Sequence, residues 1–140
     1  PVVIPNRINP ELVSWIKKCT KKLVFVLHIN HPNEINDEVK KYLSKMKHEN
    51  TILLNQSVLL KRVNDNSKVL TLLAEKLFET GILPYYLHLL DPVKGTAHFF
   101  VSASKGVEII KDLKKQLPGY LVPRLAQEIP GLESKHTFFY

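Results

Sequence analysis

Residues 22–28 read Lys-Leu-Val-Phe-Val-Leu-His, a nearly continuous apolar run rich in β-forming side chains. Such a run predicts a short strand that is buried on both faces, as in a parallel sheet. A helix is predicted on each side of it. The first covers residues 11–22, and the second begins at Asn36, a good N-cap that is followed by two acidic residues. The chain therefore opens as helix, strand, helix.

The same alternation continues along the chain. Residues 51–54 and 82–90 predict two more strands, and residues 120–122 predict a last short extended piece. The helix between the two strands is predicted to begin at Asn64 or Asp65, since both residue types are favoured at N-caps. Each strand and its following helix occupy about thirty residues, which is the size of a βαβ crossover.

Two further signals mark the ends of helices. Gly81 stands where a C′ glycine ends the helix before the third strand, and Ser104 is predicted to cap a helix that ends at Pro118. The sequence thus predicts an α/β fold with a parallel sheet and right-handed crossovers. Three main strands are fewer than the eight or so that close a barrel, so the chain forms an open sheet or part of a barrel.

The composition indicates one ordinary globular domain. The chain has 140 residues, of which 44% are hydrophobic and 24% charged, which excludes a disordered tail, a collagen repeat or a coiled coil. No apolar run approaches the ~20 residues that span a bilayer, and no secretory signal is visible. The start at Pro1 rather than at Met suggests a processed product or a proteolytic fragment.

The single cysteine limits the metal chemistry of this chain. Cys19 alone excludes an internal disulfide, a cysteine-rich zinc site and an iron–sulfur cluster held by three or four thiolates of this chain. It falls on the apolar face of the first predicted helix, together with Leu12, Val13 and Ile16. We expect it to be a small core residue rather than a reactive thiol.

The net charge of +7 leaves two interpretations open. It comes from 20 Lys and Arg against 13 Asp and Glu, and most of the positive charge is lysine in helical stretches. Lysines on the polar faces of amphipathic helices usually form a solvated surface, and we favour that interpretation. The alternative is a non-catalytic basic module that binds an anionic partner such as RNA or a protein.

Polar groups follow each of the three predicted strands. These exits are residues 28–34 (His-Ile-Asn-His-Pro-Asn-Glu), residues 55–57 (Asn-Gln-Ser) and residues 85–91 (Tyr-Tyr-Leu-His-Leu-Leu-Asp). The carboxyl ends of parallel strands meet at one edge of a sheet, where α/β proteins bind ligands. The sequence therefore predicts a polar pocket at this edge, with His28, Gln56, His88 and Asp91 facing it.

Taken one by one, these residues also have simpler interpretations. His28 and His31 have the spacing of two metal ligands, but a loop histidine pair without metal is the commoner case. Asp91 precedes Pro92 and suits a turn. Tyr85 and Tyr86 should point to opposite faces of a strand, so one of them is expected in the core.

The combination of these motifs resembles the lysine 2,3-aminomutase family. Order and spacing match over nearly the whole chain, and the motifs that carry the resemblance are residues 5–8 (Pro-Asn-Arg-Ile), 28–35, 55–60, 63–65 (Val-Asn-Asp), 84–86 with Asp91, 119–123 (Gly-Tyr-Leu-Val-Pro) and Lys135. The branch it resembles most makes (R)-β-lysine from α-lysine for attachment to elongation factor P.

The resemblance implies a fold and a set of cofactors. The family uses a radical S-adenosylmethionine fold, a six-stranded partial barrel, with an iron–sulfur cluster, S-adenosylmethionine and pyridoxal 5′-phosphate. Its cluster motif, Cys-x3-Cys-x2-Cys, lies N-terminal to everything matched here, so this chain alone is expected to be inactive. Residues 1–117 would form later βα units of the barrel, and residues 118–140 a tail that binds pyridoxal phosphate.

The resemblance also implies roles for single residues. Lys135 matches the lysine that binds pyridoxal phosphate covalently, and His88 stands where a tyrosine packs near that cofactor. Asp91 matches a carboxylate that holds the ε-ammonium group of the lysine substrate, and Glu128 stands where an aspartate does the same. His28 and Gln56 match positions on the adenosylmethionine side.

The implied setting is a cytoplasmic enzyme without nucleic acid or membrane partners. Its substrate would be lysine, and it would be linked in function to elongation factor P and its β-lysine ligase. A homo-oligomer is compatible with the resemblance. One departure is notable, because the glycine run before the family's lysine is replaced here by residues 131–134 (Gly-Leu-Glu-Ser).

Overall fold

The computed structural model describes residues 4–91, 97–128 and 136–138. Its helices and strands are, in chain order, α1 (Pro10–Lys18), β1 (Leu23–His28), α2 (Asp37–Ser44), β2 (Thr51–Leu59), α3 (Ser67–Glu79), β3 (Leu83–Leu89), α4 (Ala103–Gln116), β4 (Arg124–Gln127) and β5 (His136–Thr137). Short 3-10 turns occupy Pro5–Arg7, Pro32–Glu34, Ala97–Phe99 and Gly119–Leu121.

The strands form one sheet in the order β1-β2-β3-β4-β5. β1 to β4 are parallel, whereas β5 pairs antiparallel with β4. The predicted α/β fold with a parallel sheet is therefore confirmed, and the antiparallel strand, only two residues long, was not predicted. Since consecutive parallel strands are neighbours, the carboxyl ends of β1 to β4 lie along one edge of the sheet.

The core lies between one face of the sheet and the helices. Leu27, Leu87 and Leu125 project from three different strands and are at most 2% exposed. The apolar faces of the helices complete this core with Leu43, Leu73, Leu77, Ile110 and Leu113. α4 approaches the sheet closely, since a Cβ added at Gly106 would lie 3.1 Å from Leu89 Cδ2 and 3.2 Å from Leu125 Cδ2.

The opposite side of the sheet, which we call the open face, carries Val24, Val26, His28, Ile52, Leu54, Gln56, Val58, Tyr86, His88 and Arg124. Val24, Val26 and Ile52 are 55%, 42% and 47% exposed. The prediction that β1 is buried on both faces is therefore wrong for the described residues. The apolar run reflects a strand suited to burial, but the helices cover only one of its sides.

Three helix starts follow the capping rules, although two begin at other residues than predicted. Asn36 caps α2 as expected, with its Oδ1 accepting a hydrogen bond from the Val39 N–H at 2.8 Å. α3 is capped by Asn66 instead of Asn64 or Asp65, and α4 by Ser102 instead of Ser104. In each case a residue of suitable type stands two positions away, so the local sequence alone could not choose between them.

Other boundaries move for tertiary reasons. β2 continues to Leu59, five residues beyond the predicted end, because Asn55 and Gln56 pair with both neighbouring strands and residues 57–59 continue the pairing with β3. The last extended piece lies at Arg124–Gln127, since residues 119–121 form a 3-10 turn. α1 ends at Lys18, so Cys19 follows the helix and is half-buried rather than a core residue.

Gly81 ends α3 as predicted, and its backbone requires glycine. Its φ is +77°, in the left-handed region, and its N–H donates to the Phe78 carbonyl at 2.8 Å. The Lys47 side chain also passes close by, since an added Cβ would lie 2.8 Å from Lys47 Cε. Among the residues of the described ranges, no helix has the length and apolar character needed to cross a membrane.

Candidate functional site

The strand register aligns four polar side chains in one row across the open face. His28 on β1 pairs with Gln56 on β2, Gln56 with Tyr86 on β3, and Tyr86 with Arg124 on β4. Paired residues of parallel strands project to the same side, and neighbouring strands lie about 4.8 Å apart. Two of the predicted site residues, His28 and Gln56, are therefore neighbours.

His88 lies one step closer to the carboxyl edge on the same face. It pairs with Val58 on one side and with Ala126 on the other. Its imidazole also lies 5.4 Å, centroid to centroid, from the Tyr86 ring. The structure thus brings His28, Gln56 and His88 together on one face at the predicted edge, while their roles stay predictions.

Asp91 lies two residues beyond the end of β3 and is half-buried. Its Oδ1 is shielded from solvent and has no hydrogen-bond partner among the residues that the structure describes. A buried carboxylate oxygen without a donor costs free energy, because its hydration has been lost without replacement. The simpler interpretation of Asp91 as a turn residue leaves that cost unexplained, whereas an incoming cationic ligand would remove it.

The other two predicted residues lie near the C-terminal end. Glu128 directly follows β4 and is exposed. Since Gln127 pairs with His136, the chain returns to the edge of the sheet close to Glu128. Lys135 lies outside the described residues, so its predicted contact with a cofactor is not tested.

Buried polar side chains of β2 form hydrogen bonds to the segment that follows β1. The Ile29 N–H donates to Asn55 Oδ1 at 2.9 Å, and Asn55 Nδ2 returns a hydrogen bond to the Ile29 carbonyl at 3.0 Å. Ser57 Oγ donates to the same carbonyl at 2.7 Å. Asn55 is 1% exposed, so its amide replaces the strand partner that Ile29 would otherwise need. The segment after His28 is therefore held in a fixed position.

The loop after β1 also fixes its own polar groups. Glu34 Oε1 accepts hydrogen bonds from the backbone N–H groups of Asn30 at 2.7 Å and His31 at 2.8 Å. His31 Nδ1 accepts from the Asn33 N–H at 3.2 Å, so this ring nitrogen is bonded within the loop. His31 thus caps a 3-10 turn, and the described residues hold no group of three His, Cys, Asp or Glu side chains that could bind a metal ion.

The two tyrosines differ from the prediction that one of them enters the core. Both are half-buried, their ring centroids are 4.1 Å apart and their hydroxyl oxygens 3.5 Å apart. Such a contact is impossible for side chains on opposite faces of a strand. The cause is an irregularity opposite Asn55 and Gln56, where Asn55 pairs with Pro84 but Gln56 pairs with Tyr86. The extra residue, Tyr85, thereby joins Tyr86 on the open face.

The sequence interpretation missed Arg124 and the paired arrangement of the tyrosines. Arg124 was missed because the last strand was predicted at residues 120–122, which left Arg124 outside any predicted strand.

A cavity of about 220 Å³ lies at the amino-terminal ends of β2 and β3, beside Lys47, His48 and Thr51. It is at the opposite edge of the sheet from the predicted site.

Fold and site together define the class: an α/β protein with polar and ionisable side chains at the carboxyl ends of parallel strands. No protein-family model matches the chain. Individual relatives do, and they share one name. The chain is 50% identical over 138 residues to the L-lysine 2,3-aminomutase of Haemophilus influenzae, a match that covers 99% of this chain and 41% of that protein.

Two further relatives show the range of the similarity. The L-lysine 2,3-aminomutase of Escherichia coli is 46% identical over 135 residues, covering 96% of this chain and 40% of that protein. The enzyme of that name from Clostridium subterminale is 41% identical over 131 residues, covering 94% and 31%. The chain belongs to the lysine 2,3-aminomutase family, and it spans about two fifths or less of the length of these relatives.

Proposed function

We propose that the complete gene product containing this chain is an isomerase that converts L-α-lysine to (R)-β-lysine. The observation that carries the proposal is the solvent-shielded Asp91 Oδ1, which lacks a hydrogen-bond donor among the described residues. An ammonium group supplies donors and a positive charge together, so it suits this oxygen better than a neutral ligand. The shared name of the relatives supports lysine as the source of that ammonium.

The chain's own residues would bind and orient the substrate. Asp91 follows β3 and Glu128 follows β4, so the two carboxylates border neighbouring strands. A pair of carboxylates on one ammonium fixes the length and direction of the bound amino acid. His28, Gln56 and His88 offer hydrogen-bonding groups on the open face, which suits polar cofactors bound beside the substrate.

We further propose the cofactors that the family resemblance implies. Lys135 would hold pyridoxal 5′-phosphate, and His28 and Gln56 would line the adenosylmethionine side, with the iron–sulfur ligands outside this chain. When bound, these groups supply the radical and the electron sink, while the protein positions them and excludes water. A partial barrel of radical S-adenosylmethionine type and a C-terminal cofactor-binding tail are part of this proposal, as are a cytoplasmic location and homo-oligomeric assembly.

The physiological role proposed is supply of β-lysine for elongation factor P. The 50% and 46% identities to two relatives exceed the 41% to the Clostridium subterminale protein, but their printed names do not separate the branches. The alternative, a basic module that binds an anion, is not favoured. Lysines occupy the last turns of α1 and α4, where their positive charge interacts favourably with the helix dipole.

The test is anaerobic reconstitution of the complete gene product. The protein is loaded with iron, sulfide, pyridoxal phosphate and adenosylmethionine, and then supplied with L-lysine. We expect β-lysine to accumulate and to be used by a β-lysine ligase acting on elongation factor P. A fully loaded protein that forms no β-lysine overturns the proposal, and β-lysine that the ligase does not accept overturns only the physiological role.

A further inference from the structure

The open face carries one permanent charge, and its position is informative. In the described part of β1 to β4, the side chains on this face apart from Arg124 are apolar groups, a tyrosine, an amide and two imidazoles. Leu125 packs on the helices, so Arg124 before it projects to the opposite side. Arg124 is exposed and forms no ion pair within the described residues.

Two tyrosines lie beside Arg124 on the open face. Arg124 is in register with Tyr86 on the neighbouring strand, about 4.8 Å away between the strands. The irregularity in β3 brings Tyr85 to the same face, next to Tyr86. The Arg124 charge reaches Tyr85 as well, since it acts to lower the pKa of that hydroxyl against the larger opposite effect of the hydrogen bond to Tyr86. Three residues whose side chains carry hydrogen-bond donors are therefore neighbours on the open face.

The spacing of the hydroxyls suits a shared acceptor. Their oxygens are 3.5 Å apart, so the hydrogen bond that Tyr85 donates to Tyr86 is a long one. Both can donate to a third oxygen that lies between them, while a guanidinium presents paired N–H donors to the same group. Carboxylates and phosphates have oxygens at the spacing that such a set of donors requires.

We propose that Tyr85, Tyr86 and Arg124 form an oxyanion-binding subsite for a carboxylate or a phosphate monoester. The inference goes beyond the proposed function, because it needs only the register of β3 and β4 and the irregularity at Tyr85. The irregularity is needed for such a subsite, because in a regular strand one of the two tyrosine side chains would point towards the helices. β-Bulges often reorient side chains at binding sites in this way.

The experiment titrates the chain with inorganic phosphate and, separately, with acetate at constant ionic strength. Binding is followed by the side-chain Nε–Hε NMR signals of all three arginines. We expect a saturable shift of the Arg124 signal, with Arg7 and Arg62 unaffected. Stronger binding of phosphate indicates a phosphate ligand, and stronger binding of acetate a carboxylate.

Variants assign the donors. Arg124→Gln should weaken binding at least about tenfold, and Tyr85→Phe or Tyr86→Phe about threefold each, as expected for one charged and two neutral hydrogen bonds. Arg62→Gln, at an exposed arginine of the β2–α3 connection, is the matched control and should change nothing. Two results overturn the proposal: equal shifts at all three arginines, or binding by the folded Tyr85→Phe and Tyr86→Phe variants as tight as the parent's. Retained helix content by circular dichroism establishes that each variant is folded.

Discussion

The side-chain amide of Asn64 donates a hydrogen bond to the backbone carbonyl of Asn30 at 2.8 Å, which ties the turn after β2 to the exit of β1. The same amide donates to the Val58 carbonyl at 2.9 Å, and Asn64 Oδ1 accepts from the Leu60 N–H at 2.7 Å. Asn64 is fully buried, and the backbone groups that it bonds belong to partly buried residues. One side chain thus holds together the two strand exits nearest to His28 and Gln56.

Asn64→Ala should destabilise the protein by about 2–3 kcal/mol, because it leaves three partly buried backbone groups without their hydrogen-bond partner. Urea unfolding followed by circular dichroism measures the change. Asn33→Ala is the control, since Asn33 is exposed and its replacement should cost less than about 0.5 kcal/mol. Equal stabilities for the two variants would contradict the role given to Asn64.

Gly81→Ala should cost about 1–2 kcal/mol, the usual penalty of an L side chain in the left-handed region. Gly119→Ala is a matched control, because nothing lies within 4 Å of an added Cβ there. We expect that control to be neutral or slightly stabilising in thermal unfolding.

The contact with Lys47 can be separated from the backbone cost at Gly81. If the Lys47 side chain adds to the penalty, Lys47→Ala should reduce the effect of Gly81→Ala in a double-mutant cycle. An unchanged effect would assign the whole penalty to the φ angle.

The contrast between these two positions shows what the sequence can predict. Gly81 is recognisable locally, because a glycine after an amphipathic pattern ends a helix. Asn64 is not, because Asn suits both an N-cap and a buried bridge, and only the tertiary structure decides that Asn66 caps α3 while Asn64 joins two exits.

Features of the site that depend on tertiary structure could likewise not be predicted from the sequence. His28, Gln56 and His88 could be placed on one edge because parallel strands align their carboxyl ends. The pairing of Tyr85 with Tyr86 could not be predicted, since an irregularity depends on the register of two strands far apart in the sequence. Arg124 was missed for a related reason, because its strand is short and follows a proline-rich turn.

The Tyr85 hydroxyl should titrate above the usual range for tyrosine. Its hydrogen bond with Tyr86 raises its pKa by stabilising the neutral form, and the Arg124 charge opposes the rise. Tyr86→Phe should therefore lower the pKa of Tyr85, and Arg124→Gln should raise it further. NMR titration of ring-labelled tyrosine measures both changes.

The sign of the associated stability effect follows from this direction. A tyrosine whose pKa is raised on folding stabilises the protein fully below the unfolded pKa of about 10, and this contribution is lost as the pH rises through the folded value. Stability should fall more in this alkaline range for the parent than for Tyr85→Phe. An identical alkaline profile would mean that the Tyr85 hydroxyl has the same environment in both states.

Lys135 should be the lysine that binds pyridoxal phosphate in the complete gene product. Borohydride reduction of the loaded protein and peptide mapping locate the label. We expect it on Lys135, and Lys135→Ala should remove both the label and the visible absorbance while cluster assembly persists. Pyridoxyl label on a different lysine would refute the assignment.

Asp91→Asn should lower the turnover of lysine by the complete enzyme at least about tenfold, since losing one partner of a buried charged pair costs about 2–5 kcal/mol. The amide has nearly the same shape as the carboxylate, so the fold should be retained, and the cofactor absorbance provides a check. Asp112→Asn is the matched control: Asp112 forms an exposed ion pair with Lys115 at 2.9 Å and should tolerate the change. If Asp91 holds the ε-ammonium group, the Asp91→Asn change should reduce turnover strongly with lysine. It should reduce turnover less with a lysine analogue that has a neutral end group. Equal losses for both substrates, or unchanged kinetics with lysine, would exclude Asp91 as the ammonium ligand.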